Sequence, residues 1–182
     1  MINEFFNDFV QKEKTPEDVI KCYTGRVPDE ILEVWKQYGF GYILNGYLKV
    51  VNLNDYQTIL EEVYLRNEGA TVLFTTSMGD IIVWEDNRYL SLLNFRKGMA
   101  SCISAEFDFL FDDLWDEDFK NKALDWSPYP QAVKKYGVPK YDECFGYEPI
   151  LGLGGSEKVD SLNKVKLVEH IYLIKEFLGP IE

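Results

Sequence analysis

The stretch ATVLFTTSMGDIIVWEDNRYLSLLNFRKGMASCIS, residues 70–104, decides the fold. Its four β-prone runs are Thr71 to Thr76, Ile81 to Glu85, Tyr89 to Leu93 and Ala100 to Ser104. A turn signal separates each run from the next: Gly79-Asp80, Asp86-Asn87 and Lys97-Gly98. Because such short connections join antiparallel neighbours, we predict an antiparallel meander over this stretch.

Helices and a hairpin are predicted before the meander. Residues 2–11 carry apolar residues at helical spacing, and Thr15-Pro16 and Pro28-Asp29 each resemble the start of a helix. Asn45-Gly46 lies between two apolar runs, which is typical of a tight β-hairpin. Asn54 is predicted to cap a further helix.

Downstream of the meander the spacing of apolar residues becomes helical again. Residues 105–124 and Lys166 to Leu178 are predicted as helices, with one buried strand from Pro149 to Leu153 between them. The predicted fold class is therefore α+β, a mainly antiparallel sheet with helices packed on one face and around its edges. Residues 1–182 contain no obvious flexible linker and are predicted to form a single globular unit.

The charge of the chain restricts its partners. Thirty-one acidic residues exceed nineteen basic ones, so the net charge is −12. Nucleic acid and anionic membranes repel such a surface, whereas a basic protein is attracted to it. The alternative interpretation is that the charge only keeps the protein soluble.

Cysteine usage and the chain start predict a location. The three cysteines are scattered and odd in number, which argues against a disulfide framework. The first residues show no secretory signal, and no apolar stretch is long enough to span a membrane. We predict a cytoplasmic protein that binds neither membrane nor nucleic acid.

The search for a catalytic motif gives none. His170 is the only histidine, and its place inside the last predicted helix favours a packing role over a Cys-His or Ser-His pair. One histidine and three distant cysteines provide no zinc-ligand spacing. Gly152 to Lys158 lacks the Walker phosphate-binding pattern, and Glu157 would oppose a phosphate. We predict a protein that is not an enzyme and has no catalytic residue, metal or cofactor.

An acidic and aromatic run follows the meander. Between Lys97 and Lys120 there is no basic residue, while seven acids alternate with Phe107, Phe109, Phe111 and Trp115. We predict that these acids form one charged face of an amphipathic helix that docks a basic partner. An ordinary solvated face is the alternative. The candidate contact residues are Asp108, Asp112, Asp113, Trp115, Asp116, Glu117 and Asp118.

The segment DECFGYEPILGLGGS, Asp142 to Ser156, is the most distinctive part of the chain. With Val159, Leu162, Val165 and Glu169-His170 it resembles the C-terminal domain of type VI secretion DNase immunity proteins. Upstream, Pro28 through Gly41, Gly46-Tyr47, Val51-Asn52 and Met78-Gly79-Asp80 resemble the GAD-like domain that precedes it in those proteins. The Smi1/Knr4-like immunity superfamily is a more distant resemblance. At the exposed end of the segment, the candidate contact residues are Asp142, Glu143, Tyr147 and Glu148.

The resemblance implies a bacterial immunity protein that binds a cognate toxin, a nuclease, and is not itself an enzyme. It divides the chain into a GAD-like part, residues 1–105, and a C-terminal part, residues 106–182, that share one core. A small-ligand-binding or housekeeping interaction module, with the glycine-rich segment lining a pocket, remains the alternative. An enzyme with a carboxylate pair is a third hypothesis, since a chain with 31 acids offers such pairs by chance.

Overall fold

One antiparallel sheet forms the centre of the molecule. The computed structural model describes residues 2–182, and the side chains from Glu4 onward. Within these residues seven strands lie side by side in the order in which they occur along the chain. Their bounds are β1 Val10–Glu13, β2 Phe40–Ile43, β3 Leu48–Val50, β4 Thr71–Thr76, β5 Ile81–Glu85, β6 Tyr89–Asn94 and β7 Met99–Ser104.

Both sequence-based strand predictions are confirmed. β4 to β7 form the antiparallel meander, and β2 and β3 form the hairpin. The hairpin turn places Leu44, Asn45 and Gly46 at φ values of 56, 51 and 81°. Asn and Gly adopt this left-handed region at the least steric cost, which explains why the Asn-Gly pair marks the turn.

The N-terminal helices differ from prediction at two points. Their bounds are α1 Ile2–Phe5, α2 Glu17–Tyr23, α3 Asp29–Gln37 and α4 Gln57–Val63. Helical structure from residue 2 ends with a 3₁₀ turn at Phe6–Asp8, and the predicted end of that helix is instead the edge strand β1. The predicted cap at Asn54 is also wrong: Asn52 caps a 3₁₀ turn at Leu53–Asp55, where its side chain accepts a hydrogen bond from Asn54 N at 3.2 Å, and α4 begins at Gln57 without a side-chain cap.

The C-terminal part adds helices and a second, two-stranded sheet. The helices are α5 Leu110–Asp113, α6 Glu117–Leu124, α7 Pro128–Tyr136 and α8 Leu167–Leu178. β8 Glu143–Tyr147 pairs antiparallel with β9 Leu162–Lys166. The predicted strand from Pro149 to Leu153 is wrong: the strand is β8, and Leu151–Leu153 forms a 3₁₀ turn. Acidic and glycine residues concealed the strand, because only Cys144, Phe145 and Tyr147 among its five residues are apolar or aromatic.

Helices cover both faces of the seven-stranded sheet. On one face α3, α5 and α7 pack on side chains such as Phe74 and Ile82. On the other face α4 and α8 pack on Val72 and Val83. The predicted α+β class with a mainly antiparallel sheet is therefore confirmed. Helices were expected on one face of the sheet and around its edges, and they cover both faces.

The two predicted parts of the chain share buried interactions. Phe145 and Leu162 belong to the same core cluster as Trp35 and Phe74. We propose on this basis that residues 1–105 and 106–182 fold as one unit, because neither part would keep its apolar surface buried alone.

A buried charge cluster also joins the two parts. Arg96 lies 2.9 Å from Asp80 and 3.3 Å from Asp125, with Nη atoms facing carboxylate oxygens. Lys97 extends the cluster from Asp125 to Glu157, at 2.9 and 3.1 Å. Since breaking a buried pair leaves an uncompensated charge, these contacts fix the turn after β6 against the end of α6 and against Glu157, which follows the glycine-rich segment.

Candidate functional site

The acidic run forms two short helices rather than one. α5 ends at Asp113, Leu114 to Asp116 leave the helix, and α6 begins at Glu117. The prediction of a single amphipathic helix with one charged face is therefore wrong. The physical reason is Asp116, which has extended backbone angles and whose carboxylate accepts a hydrogen bond from Phe119 N at 3.0 Å. Such a cap starts a new helix.

Part of the negative charge has a local structural role. Glu117 and Asp118 occupy the first turn of α6. Acids there interact favourably with the partial positive charge at a helix N-terminus. The sequence Asp116-Glu117-Asp118 is thus a helix-start signal, and it could have been recognised as one.

Most of this run remains exposed and without compensating charge. We name residues 106–118 the acidic-aromatic segment. Six of its acids are exposed and Asp113 is half-buried. Within residues 2–182, no basic side chain forms an ion pair with any of the seven. The exposed acids are Glu106, Asp108, Asp112, Asp116, Glu117 and Asp118.

Some aromatic side chains of the acidic-aromatic segment lie on the protein surface and others in the protein core. Phe109 is 61% exposed and Trp115 is 59% exposed, whereas Phe107 and Phe111 are buried. The ring of Phe111 packs on Phe5 with centroids 5.1 Å apart. The buried rings hold the segment in place and the exposed rings provide apolar contact area next to carboxylates, a composition suited to binding a basic protein surface.

The glycine-rich segment Asp142 to Ser156 is built for close packing. A Cβ on Gly146 would lie 2.5 Å from Nε2 of His170, and one on Gly152 would lie 2.4 Å from Cδ1 of Leu178. On Gly155 it would lie 1.9 Å from the carbonyl oxygen of Pro149. The segment has a fourth glycine, Gly154, and it alone has a positive φ, of 84°. The other three glycines are therefore needed for close packing rather than for turning the chain.

The four candidate contacts in this segment have different surroundings. Asp142 and Glu143 both interact with Lys166, which holds the pKa of Asp142 below its ordinary value through a hydrogen bond. Glu148 is exposed and accepts a hydrogen bond from Asn163 at 2.5 Å. Tyr147 is 2% exposed and packs in the core, so its ring is not available to a partner in this structure.

The two groups of candidate residues form separate sites. In residues 2–182 no hydrogen bond, ion pair or ring contact joins the acidic-aromatic segment to Asp142 through Glu148. The acidic-aromatic segment combines exposed charge with exposed aromatics, whereas the charges at Asp142 and Glu143 are already paired. The first group is therefore the one whose charges are exposed and unpaired.

A small cavity lies beside the glycine-rich segment. Arg96, Tyr147, Gly152 and His170 line it together with apolar side chains, and its volume is about 10 Å³. Tyr147 Oη is buried without a hydrogen-bond partner in the described part of the chain, and Arg96 Nη1 faces Asp125 at 3.3 Å. A space of this size fits about one water molecule, so it does not hold a metabolite.

Cys144 and His170 come near one another but are not arranged as a nucleophile and its base. Cys144 Sγ and His170 Cδ2 lie 3.3 and 3.9 Å from where a Cβ on Gly79 would be. Burial raises the pKa of the Cys144 thiol to about 12 and lowers the pKa of His170. Both groups are therefore neutral near pH 7, whereas a reactive cysteine needs a thiolate.

Residues 2–182 contain no group of three or more His, Cys, Asp or Glu side chains placed to hold a metal ion. The helices of that range are too short or too polar to cross a membrane.

Each of the two parts of the chain matches a model of a known protein family. The family model "T6SS immunity protein Tdi1, C-terminal" matches residues 104–178, and the "GAD-like domain" model matches residues 1–94. The crystal structure of Atu4351 from Agrobacterium tumefaciens is similar to the structure of this chain. The TM-score between the two is 0.74, and the likeness covers 100% of this chain and 90% of that chain. At 17% identity this likeness shows a shared fold alone. No curated protein matches.

The family matches agree with the resemblance drawn from Asp142 to Ser156 and from Pro28 through Gly41. They support an immunity protein, and with it a toxin as partner and a non-enzymatic inhibitor. The chain belongs to the GAD-like domain family, and its residues 104–178 match the model of the C-terminal domain of the type VI secretion immunity protein Tdi1.

Proposed function

We propose that this protein binds a basic nuclease toxin and neutralises it by covering the active-site cleft. The single observation that carries the proposal is the acidic-aromatic segment, where seven acids lack ion pairs and two aromatic rings are exposed. A nuclease cleft is basic because it binds phosphates, so such a surface is complementary to it. The contact residues we propose are Asp108, Asp112, Asp113, Trp115, Asp116, Glu117 and Asp118.

Electrostatics supports fast capture of the toxin. The net charge of −12 attracts a basic protein over distances up to the Debye length, which is about 8 Å at physiological salt. Charge complementarity of this kind raises association rates more than it raises affinity. An immunity protein benefits from speed, because a toxin acts from the moment it is free.

We place this activity in the cytoplasm. Cys22, Cys102 and Cys144 are all free thiols, and two of them are exposed. Exposed unpaired thiols suit a reducing compartment, which is also where a nuclease toxin would reach nucleic acid.

The alternative of a small-ligand module receives less support. Its expected site, the glycine-rich segment, borders a cavity of only about 10 Å³. A thermal-shift panel of nucleotides and metabolites tests it, since a ligand that binds the folded protein raises its melting temperature. A shift with any member would favour this function over toxin binding.

The decisive experiment is co-expression with the toxin encoded beside this gene. We expect growth to be rescued and a complex to survive gel filtration, with an affinity that weakens as salt rises from about 0.05 to 0.5 M. If toxicity is unchanged and no complex forms, the proposal is rejected.

A cleavage assay with purified toxin then tests the mechanism. Occlusion of the cleft predicts that DNA cleavage stops in the complex at a one-to-one ratio. Continued cleavage by toxin that is fully bound would reject occlusion while leaving immunity itself intact.

A further inference from the structure

The sheet has one open edge at β7. β7 pairs with β6 on one side, and within residues 2–182 no backbone group outside β6 hydrogen-bonds to Met99 through Ser104 across the other side. In an antiparallel pair, every second residue of the edge strand points its N–H and C=O away from its neighbour. β7 therefore presents a row of free backbone donors and acceptors.

The sequence of β7 leaves this edge unprotected. β7 reads Met-Ala-Ser-Cys-Ile-Ser, with neither a charge nor a proline. β1, the opposite edge, is shorter, carries Lys12 and Glu13, and is bulged between Gln11 and Glu13. Charges, bulges and short length are the features by which proteins block pairing at an edge. The bulge in β7 falls at Ile103 and leaves Met99 to Cys102 in regular register.

A groove runs along β7 on the same side of the sheet as α4. Its volume is about 650 Å³, and Ser91, Ala100 and Cys102 form its floor. Three acids, Glu68, Glu85 and Asp86, line the groove against one base, Arg66.

Exposed apolar side chains surround this groove. Leu65 and Tyr89, which line it, are 60% and 37% exposed. The groove is therefore both acidic and partly apolar.

We propose that an extended, basic segment of the toxin adds to β7 as a further strand of the sheet. The inference rests on the proposed function, because it names how that partner would dock. Backbone hydrogen bonds to β7 would supply affinity, and the pleat would place every second side chain of the segment over the groove. Lys or Arg at those alternate positions would meet Glu68, Glu85 and Asp86.

A second copy of this chain is a poorer occupant of the same edge. Two chains of net charge −12 repel each other, and pairing β7 with its copy would bring two sets of groove acids together. A basic segment removes this repulsion.

The position of β7 in the chain connects the edge with the acidic-aromatic segment. Ser104, the last residue of β7, accepts a hydrogen bond from Glu106 N at 3.3 Å and donates one to Glu106 O at 2.5 Å. This turn leads directly into the acidic-aromatic segment. A toxin segment paired with β7 would thus lie beside the acids that attract the rest of the toxin.

Hydrogen exchange of the free and toxin-bound protein tests this docking mode. We expect the outward amides of β7 to exchange at least about tenfold more slowly in the complex, since each gains a hydrogen bond. The amides of β1 form the internal control and should keep their rates, because β1 is the blocked edge of the same sheet.

Cysteine alkylation gives a side-chain readout of the same surface. Cys102 lies in the groove, Cys22 lies exposed on α2, and Cys144 is buried. We expect bound toxin to slow maleimide alkylation of Cys102 by about tenfold while Cys22 keeps its rate.

The outcomes separate this inference from the proposed function. Protection of β7 amides together with Cys102 supports strand addition. An inhibited complex in which β7 amides exchange at the free rate overturns strand addition but leaves the immunity function standing. Slower alkylation of Cys102 without amide protection also overturns it, since the toxin would then cover the groove without pairing. Absence of any complex overturns both.

Discussion

The acidic-aromatic segment and the glycine-rich segment are both rich in acids and aromatics, yet their environments are opposite. In the first, charges are exposed and unpaired, and two rings face solvent. In the second, Lys166 pairs with Asp142 and Glu143, Tyr147 is buried, and glycines allow contacts that a Cβ would prevent. The difference teaches that the most distinctive residues of the chain serve its internal packing. The less distinctive acidic run is the one left exposed, and it is the surface that we propose for binding.

The largest expected effect is on stability, at Gly155. Gly155→Ala would place a methyl group 1.9 Å from the carbonyl oxygen of Pro149, a backbone atom that cannot move aside. We expect a loss of roughly 3 kcal/mol or more in the free energy of unfolding, measured by urea denaturation. Gly154→Ala is the matched control: it has open space and only a positive φ, so it should cost about 1 kcal/mol. Equal losses in the two variants would contradict the packing role.

The second effect concerns Lys49, which anchors the start of the glycine-rich segment. Its ammonium group is buried and donates hydrogen bonds to the carbonyl oxygens of Lys140 and Glu143. Burial lowers the pKa of Lys49 from 10.5 to about 8. Because the folded state holds this proton less tightly than the unfolded state does, the buried charge costs stability below pH 8. That cost disappears as the pH rises through 8 towards 10.5.

Lys49→Met removes this titration. The free energy of unfolding of the native protein should rise relative to that of the variant by about 3 kcal/mol between pH 7 and pH 10.5, in denaturation curves of both proteins. Taking the difference between the two proteins cancels the ionisation of their shared tyrosines and cysteines. A difference that is constant over this range would mean that Lys49 keeps its ordinary pKa.

The third effect is on association rather than on stability. Charge reversal in the acidic-aromatic segment should slow toxin binding by about 100-fold at low salt, measured by stopped-flow fluorescence. The free energy of unfolding should fall by no more than about 2 kcal/mol, because two of the reversed acids, Glu117 and Asp118, lie in the first turn of α6. Asp116 is left intact because its carboxylate caps α6. The residues changed to Lys are Asp108, Asp112, Glu117 and Asp118.

An equal change of charge elsewhere is the control for this experiment. Four exposed acids on β1, α2 and α8, which neither belong to the acidic-aromatic segment nor line the groove beside β7, are reversed instead, so that the net charge is identical. If both variants bind equally slowly, net charge rather than the acidic-aromatic segment guides the toxin. These control residues are Glu13, Glu17, Glu169 and Glu176.

The smallest effect is expected at Asp142. Its ion pair with Lys166 is well exposed, with 62% of the Asp142 side chain accessible. Asp142→Asn should therefore cost less than about 1 kcal/mol of stability in urea denaturation. It should also leave the association rate unchanged, since Lys166 already neutralises this charge. Slower binding would assign Asp142 to the docking surface and weaken the contrast between the two segments.

Local sequence was sufficient for the turns that connect the strands of the sheet. The turn pairs between β4 and β7 and the Asn45-Gly46 hairpin follow from backbone preferences of Gly, Asn and Asp, and all were predictable. The acids and aromatics of the acidic-aromatic segment were also found from sequence, but their division into two helices was not. Helical spacing continues across the break, and the cap at Asp116 was hidden among other acids.

The tertiary structure alone decided which distinctive residues are accessible. Tyr147 and Phe109 are both aromatic residues beside acids, yet the first is 2% and the second 61% exposed. The sequence by itself determined the α+β class, the meander, the excess of negative charge and the family. Only packing decided that Gly146 must make room for His170, that Arg96 joins Asp80 to Asp125, and that β7 ends the sheet with an open edge. These features depend on contacts between residues far apart in the chain, and such contacts leave no local pattern in the sequence.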